Sequence, residues 1–300
     1  MRQKVEDAVP NHLPTGSKRM SPIVLAAVLF AAALHAIWNA IAKGGLDKRE
    51  AIGAIALGHV PFALLSFSLA PVPAKECLPY LGCGILLHLG YQFFLMHSYR
   101  LGDLTQVYPI ARGSAPLIVA LISVAFLGVH LSGIEILAIT IIGAGIVSLG
   151  LVRRADGQRN PNAAMLAMTT GLFIASYSLI DGMGARVAGT ALGFYAWLAI
   201  GNGIAMMLYL AIRSPKTLFA ISRRGKRTFF IGGGASFAAY ALVTWAFTQA
   251  PVALVAAVRE TSIIFALLIG VFFLKERLDL FKIASTMTTL LGAAILKFAR

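Results

Sequence analysis

Charge is scarce in this sequence: 13% of its 300 residues are Asp, Glu, Lys or Arg, against about 25% in an ordinary soluble domain. Acids are the scarcer sign, 12 against 26 basic residues. No two acids pair within an apolar stretch, the histidines are dispersed, and no serine stands in a Gly-flanked nucleophile turn. The paired acids, metal ligands or nucleophile with base that a membrane-embedded protease or lipid transferase requires are therefore missing. Cysteine is nearly absent. Cys77 and Cys83 lie on poorly matched helix faces without a metal-type pattern and read as small buried residues. No strand precedes the glycines at Gly143, Gly145, Gly201, Gly203, Gly232, Gly233, Gly234 and Gly292, so close helix packing suits them better than a phosphate-cradling loop. No cofactor or metal is expected.

What is abundant is apolar side chain, 58% of residues. That is more than one soluble core can bury, so hydrocarbon must be the solvent for most of the chain. Apolar stretches of roughly 20 residues, enough to cross a bilayer core of about 30 Å, run over 22–43, 49–70, 77–99, 104–129, 132–152, 161–183, 190–213, 228–249, 251–274 and 279–298. Short breaks with helix stop and start signals separate them, among them Gly44-Gly45, Pro71-Val72-Pro73, Asn160-Pro161 and Ala250-Pro251. None could hold a soluble domain. The polar residues 1–21 read as a disordered tail. A signal peptide over 20–36 is disfavoured, because the apolar run continues through Trp38 and Asn39 to Lys43. The net charge of +14 sits mostly between apolar runs, where it suits lipid headgroups rather than nucleic acid.

An internal repeat organises these stretches. Displaced by 147 residues, Leu104 to Gly150 falls on Pro251 to Lys297 without a gap. Arg112 then meets Arg259, Leu121-Ile122 meets Leu268-Ile269, Phe126-Leu127 meets Phe273-Leu274, and Gly145 meets Gly292. Weaker echoes set Trp38-Asn39 against Tyr177-Ser178, and Tyr91 against Tyr240. The expected fold is an all-α integral membrane protein of ten transmembrane helices in two inverted five-helix repeats, 22–152 and 161–300, joined by a loop at 153–160. Five spans is an odd number, so the second repeat enters the membrane upside down, a common carrier architecture.

Several runs of residues resemble the drug/metabolite transporter superfamily, specifically its EamA-type ten-helix members. They are His35-Ala36-Ile37-Trp38-Asn39-Ala40-Ile41-Ala42-Lys43, Tyr108-Pro109-Ile110-Ala111-Arg112-Gly113-Ser114-Ala115-Pro116, Tyr177-Ser178-Leu179-Ile180-Asp181-Gly182, and Phe273-Leu274-Lys275-Glu276-Arg277-Leu278. The resemblance implies a multi-pass transporter of the cell (inner) membrane, with a homodimer left open. It says little of the substrate, since members carry amino acids, sugar phosphates, nucleotide sugars and drugs. In one departure, the junction glutamate Glu276 has Val129 as its first-half counterpart. Glu276 is expected to mark an interfacial helix start.

Polar residues within the spans supply the candidate site. Arg112 and Arg259 each lie about eight residues into a span, roughly 12 Å deep, where a charge must be paired, wetted or functional. Their planar donors suit a carboxylate or phosphate; the alternative is that they tie helices together. Glu260 adjoins Arg259 but points about 100° away on a helix, so a direct pair is awkward. Trp38, Asn39, Tyr91, Gln92, Tyr108, Tyr177 and Tyr240 recur at comparable depths and form, with Arg112, Arg259 and Glu260, the expected substrate-binding set.

His35 is the proton-coupling candidate. In the small four-helix exporters of the superfamily, a carboxylate stands eight residues before a helix-1 lysine, and here His35 stands eight before Lys43. Without that acid, efflux of lipophilic cations is disfavoured. For His35 a packing role is equally open, and for His59, His88 and His97 it is the favoured reading. Asp181 reads as either a span residue or a loop-facing helix cap.

Together these readings point to a secondary carrier, exporter or exchanger, moving a small polar metabolite such as an amino acid or organic anion by alternating access. The rivals are a membrane enzyme acting on a lipid or polyprenyl substrate, and a channel. Loops after odd-numbered spans hold about twice the Lys and Arg of the termini and even loops, with Lys48, Arg49, Arg153, Arg154, Arg159, Lys216, Arg223, Arg224, Lys226 and Arg227 dominating. The positive-inside rule places those loops in the cytoplasm and the termini outside. A cysteine at Arg224 is therefore expected to resist membrane-impermeant thiol reagents added to intact cells, and labelling from outside would reverse the orientation.

Overall fold

The computed structural model describes residues 20–44, 47–127, 132–151, 161–250, 252–276 and 280–298. The expected tail, the 153–160 connection and Val129 lie outside them. In chain order the helices are α1 (Pro22–Gly44), α2 (Lys48–Ser66), a 3-10 turn (Lys75–Cys77), α3 (Leu78–Leu101), α4 (Leu104–Leu127), α5 (Gly133–Leu151), α6 (Pro161–Val187), α7 (Ala191–Arg213), α8 (Pro215–Arg224), a π-helical segment (Thr228–Gly232), α9 (Gly233–Gln249), α10 (Val252–Arg259), α11 (Ser262–Phe272) and α12 (Leu280–Phe298). Among the described residues, five helices are long and apolar enough to cross a membrane: Pro22–Gly44, Lys75–Leu101, Pro161–Val187, Ala191–Arg213 and Thr228–Gln249. Shorter apolar helices cover Ile136–Ser148, Ser262–Phe272 and Ile283–Gly292. Their outward faces carry Phe30, Leu86, Met165, Ile212 and Phe272 exposed, as a hydrocarbon solvent allows.

Three boundaries differ from the sequence expectation. The apolar stretch 251–274 is two helices, broken by turn residues Glu260 and Thr261, where Thr261 N–H bonds Val258 O and Ile263 N–H bonds Glu260 O, three residues back. Apolar composition hides such a break. The basic segment after α7, expected as a loop, is the helix α8, started by Pro215. It turns Ile221 inward, exposes Phe219, and is held to α2 by Arg224, whose Nη2 lies 2.7 Å from Glu50 Oε1. Helix α6 runs through Val187, so Asp181 is an interior residue rather than a cap. Cys83 is exposed, whereas Cys77 is buried.

The helices pack as two interlocked sets. If α1 to α5 are matched with α6, α7, α9, α10–α11 and α12, several main contacts have counterparts: α3 lies on α6 as α9 lies on α1, and α4 on α6 as α10 and α11 on α1. Helices α2 and α7 pack on each other, and so do α5 and α12. At the crossing of α2 with the start of α9, a Cβ on Gly58 would stand 2.1 Å from Phe229 O and one on Gly233 2.7 Å from Gly58 Cα. Only glycine lets the two backbones meet there.

Helix ends are satisfied in matching pairs. Asp47 caps α2 by accepting from Arg49 N and Glu50 N, and Thr190, 143 residues on, caps α7 by accepting from Gly193 N. Lys43 Nζ donates to Tyr99 O (3.0 Å) and Gly102 O (2.6 Å) at the end of α3. Arg186, also 143 residues on, donates to Phe247 O (2.9 Å) and Ala250 O (3.0 Å) at the end of α9. A cation on the last carbonyls of a helix satisfies orphan acceptors and the negative dipole end together. These caps set α1 on α6 at a displacement of 143, one helical turn from the Trp38 to Tyr177 echo.

Glu276 corrects another expectation. It caps α4 rather than its own helix, accepting from Leu104 N (2.8 Å) and Thr105 N (2.9 Å). The repeat equivalents of Leu104 and Glu276 are Pro251, which has no N–H to cap, and Val129. Acid and donor are lost together. Glu276→Ala is expected to lower the stability of the detergent-solubilised protein by about 1 kcal/mol, the usual worth of an N-cap, read as a fall in melting temperature; an unchanged melting temperature would remove Glu276 from this role.

Candidate functional site

Helices of both sets line a common cavity. From α2 come Ile52, Ile55, Ala56 and His59, and from α7 come Tyr195, Leu198, Ala199 and Asn202. Each of the four pairs is separated by 143 residues. The two walls are thus equivalent positions with different chemistry. His35 and Trp38 of α1, His88, Tyr91, Gln92 and Leu95 of α3, Tyr177 of α6, and Ser236 and Tyr240 of α9 complete the lining.

The wall is largely aromatic. His88 stacks on Tyr177 with ring centroids 4.2 Å apart, while Tyr91 and Tyr240 meet Tyr177 edge-on at 5.4 and 5.6 Å. Asp181, fully buried behind this wall, accepts from Tyr240 OH (2.7 Å) and lies 2.7 Å from His88 Nε2 on the same oxygen, Oδ2. Its Oδ1 has no partner. That oxygen fits because position 84 is glycine: a Cβ there would be 2.8 Å from it. The arrangement joins α3, α6 and α9. The sequence reading missed it because an acid near an expected span end looks like a cap, and dispersed histidines look like packing residues.

Around His35, Trp38 Nε1–H donates to Nδ1 (3.1 Å) and Asn39 Nδ2–H donates to the His35 carbonyl (2.7 Å). Asn39 Oδ1 in turn accepts from Tyr99 OH at 2.6 Å, so Asn39 braces α1 on α3 instead of lining the cavity. Because Nδ1 accepts, His35 is the neutral tautomer with its proton on Nε2. That N–H is buried without a partner.

Arg112, Arg259 and Glu260 are not in the cavity wall. They lie behind it at 2%, 1% and 2% exposure. Arg259 Nη2–H donates to Ser178 Oγ (3.0 Å), and Arg112 lies over the Tyr108 ring at 5.5 Å. Both arginines are close enough to act electrostatically on Glu260, His35, Tyr91 and Tyr177. Yet Arg112 Nη1, Arg259 Nε and Nη1, Tyr108 OH and Glu260 Oε2 are all buried without a hydrogen-bond partner. Unmade bonds of buried charges cost several kcal/mol where water is excluded. Of the other histidines, His59 meets Tyr195 OH at 3.4 Å, and His97 faces outward with Nδ1 2.8 Å from Phe93 O.

Residues 161–298 match the EamA-like transporter family. That half of the chain is an EamA-like transporter domain. The EamA-like domain contributes α6 with Tyr177 and Asp181, α7, α9 with Tyr240, and the broken α10–α11 pair with Arg259. Families of this kind are typically non-enzymatic transporters, and the protein is a multi-pass membrane transporter. No curated protein matches the chain. Among solved structures 28 chains match; one, a crystal structure of a protein, superposes with a TM-score of 0.61 over 92% of this chain and 96% of its own at 16% identity, which shows a shared fold alone.

Asp181 and Tyr240 give a direct test of the buried carboxylate's role. Tyr240→Phe removes one of two donors to Oδ2 and is expected to cost about 1 kcal/mol, whereas Asp181→Ala strands both donors and is expected to cost about 3 to 5 kcal/mol. Melting temperatures of the two purified variants check the order; equal losses would contradict it.

Proposed function

We propose that the protein is a secondary carrier of ten spans in two inverted five-helix repeats, 22–152 and 161–300, moving a small polar metabolite such as an amino acid or organic anion. The carrying observation is the cavity built from equivalent positions of α2 and α7 and closed by both halves. An inverted repeat interconverts the two sides of its axis, so rocking of the halves opens the same cavity alternately to each membrane face. The membrane is the cell (inner) membrane, as the positive loops suit. Three first-half positions of the expected substrate-binding set, Trp38, Tyr91 and Gln92, line the cavity with Tyr177 and Tyr240 of the second half and with His35, the coupling candidate. Arg112 and Arg259 supply positive potential behind them, which favours a solute carrying an anionic group.

Proton coupling, where His35 is the sequence candidate, fits His88 and Asp181 better. A proton on His35 Nδ1 displaces the Trp38 bond and adds a third cation beside two arginines. His88 instead faces Asp181 and Tyr177 of α6, Tyr240 of α9, and His59 of α2, with Tyr195 of α7 acting on Asp181. Losing or gaining a proton there changes a bond between the halves.

In proteoliposomes, uptake driven by an opposing solute gradient separates a carrier from a channel or an enzyme. Arg259→Lys keeps the charge but loses the fork, and is expected to lower the initial transport rate about tenfold or more with little change in melting temperature. His88→Gln, which removes the ring bond to Asp181, is expected to lower the transport rate more than His35→Gln; the reverse order would return His35 as the coupling candidate. Normal rates in both Arg112→Lys and Arg259→Lys contradict the anionic-group reading.

A further inference from the structure

Helix α8 contributes no residue to the cavity wall. It begins two residues after α7 ends and lies between two spans, Ala191–Arg213 and Thr228–Gln249. Its ten residues extend only about 15 Å, so a segment tied at both ends to span termini stays at the membrane surface. Ile221 turns inward, its Cδ1 3.3 Å from where a Cβ on Gly53 of α2 would stand. Arg49 of α2 donates to Ser214 Oγ, and Arg224 holds Glu50 of the same helix, Nη2 to Oε1 at 2.7 Å. One face of α8 is thereby fixed to α2.

The other face is basic and unpartnered. Lys216, Phe219 and Arg223, spaced i, i+3 and i+7, share the side of the helix away from Ile221, and all three are exposed. The Arg223 guanidinium lies over the Phe219 ring at 5.4 Å. Exposed Arg213, Lys226 and Arg227 extend the set beyond the two helix ends. From 213 to 227 the sequence has six basic residues and no acid. Glu50 is taken up by Arg224, and among the described residues no ion pair or side-chain hydrogen bond engages Arg213, Lys216, Arg223, Lys226 or Arg227. Helix-dipole complementarity accounts for Arg223 and Arg224 in the last turn, but it opposes Lys216 in the first and does not reach Lys226 and Arg227. Nor does the fold demand the charge: at the 143-residue displacement, positions 70–84 hold one Lys and one Glu, which cancel.

We propose that α8 and residues 225–227 dock acidic phospholipid headgroups, with Lys216, Arg223, Lys226 and Arg227 on the phosphates and Phe219 at the acyl boundary. Charge complementarity selects this occupant, because cations without protein partners, held level with the span ends, meet the anionic surface of a leaflet. An exposed Phe between two cations is misplaced in water. An in-plane helix seats such a ring among the acyl chains, while the long Lys and Arg stems reach back to the headgroups. Soluble phosphate would answer the cations and leave Phe219 in water. Because α8 is bonded to α2, which supplies one wall of the cavity, a lipid docked here buttresses that wall from the membrane surface.

The test follows the melting temperature of full-length protein, delipidated in nonionic detergent, with added phosphatidylglycerol, phosphatidylcholine or soluble glycerol 3-phosphate. A ligand of the folded state stabilises by mass action, so phosphatidylglycerol is expected to raise the melting temperature about 4 °C or more above phosphatidylcholine at low salt. That preference should fall by at least half in about 0.5 M NaCl, and glycerol 3-phosphate should reproduce none of it. K216Q/R223Q/K226Q/R227Q is expected to abolish the preference while melting within about 2 °C of wild type in phosphatidylcholine. R153Q/R154Q/R159Q, which neutralises another basic run, should keep it. No preference in the wild type, an equal shift with glycerol 3-phosphate, an unchanged preference in the fourfold variant, or equal losses in the two variants overturns the proposal. Should the fourfold variant fail to fold, K216Q/R223Q decides: loss of about half the preference is expected, and an unchanged preference overturns it.

Discussion

A guanidinium inside hydrocarbon must be answered by something other than water. Arg112 and Arg259 occupy equivalent positions of a repeat, and the protein answers them only in part, through Ser178 Oγ and the Tyr108 ring. The rest of the interior is arranged around that deficit. Helix α10 stops at Arg259, Glu260 follows in the turn, and both arginines act on Glu260 and on the cavity residues His35, Tyr91 and Tyr177. Buried charge held incomplete costs stability.

The same constraint governs the helix ends. Lys43 and Arg186 close the carbonyl ends of α3 and α9, and Asp47 and Thr190 close the amino ends of α2 and α7. These four caps repeat at one displacement although the side chains differ, because a terminus demands a donor or an acceptor, not a particular residue. Where the symmetry lapses, chemistry explains it: Pro251 removes the donor that a counterpart of Glu276 would cap. The cavity follows a similar rule. Position is kept between His59 and Asn202 or Ile52 and Tyr195, while identity is not.

Much of the fold was legible because hydrocarbon imposes length and composition on each span. Helix α1 begins at Pro22 and α4 at Leu104, as the apolar runs indicate. The break at Glu260 was not legible, since an apolar run continues on both sides of it. Helix α8 was hidden by its basic surface, which reads as loop until Ile221 is seen packed inward. At the site, rare residues were informative: arginines and aromatics inside spans stood out, and the charged cluster and much of the wall came from them. Asp181 and His88 did not stand out, because each is ordinary alone and acquires meaning only when α3 and α6 bring them to 2.7 Å. The equivalence of α2 and α7 was likewise invisible, since almost no identity survives between them.

Inversion of the two halves is the claim on which the carrier mechanism stands, and sided labelling tests it most directly. Gly44 and Val187 are exposed positions 143 residues apart, at the equivalent ends of α1 and α6. With Cys77 and Cys83 replaced, single cysteines at these two positions are treated with a membrane-impermeant thiol reagent in oriented vesicles. The account predicts that one is labelled only from outside and the other only from inside. Labelling of both from the same side would contradict it.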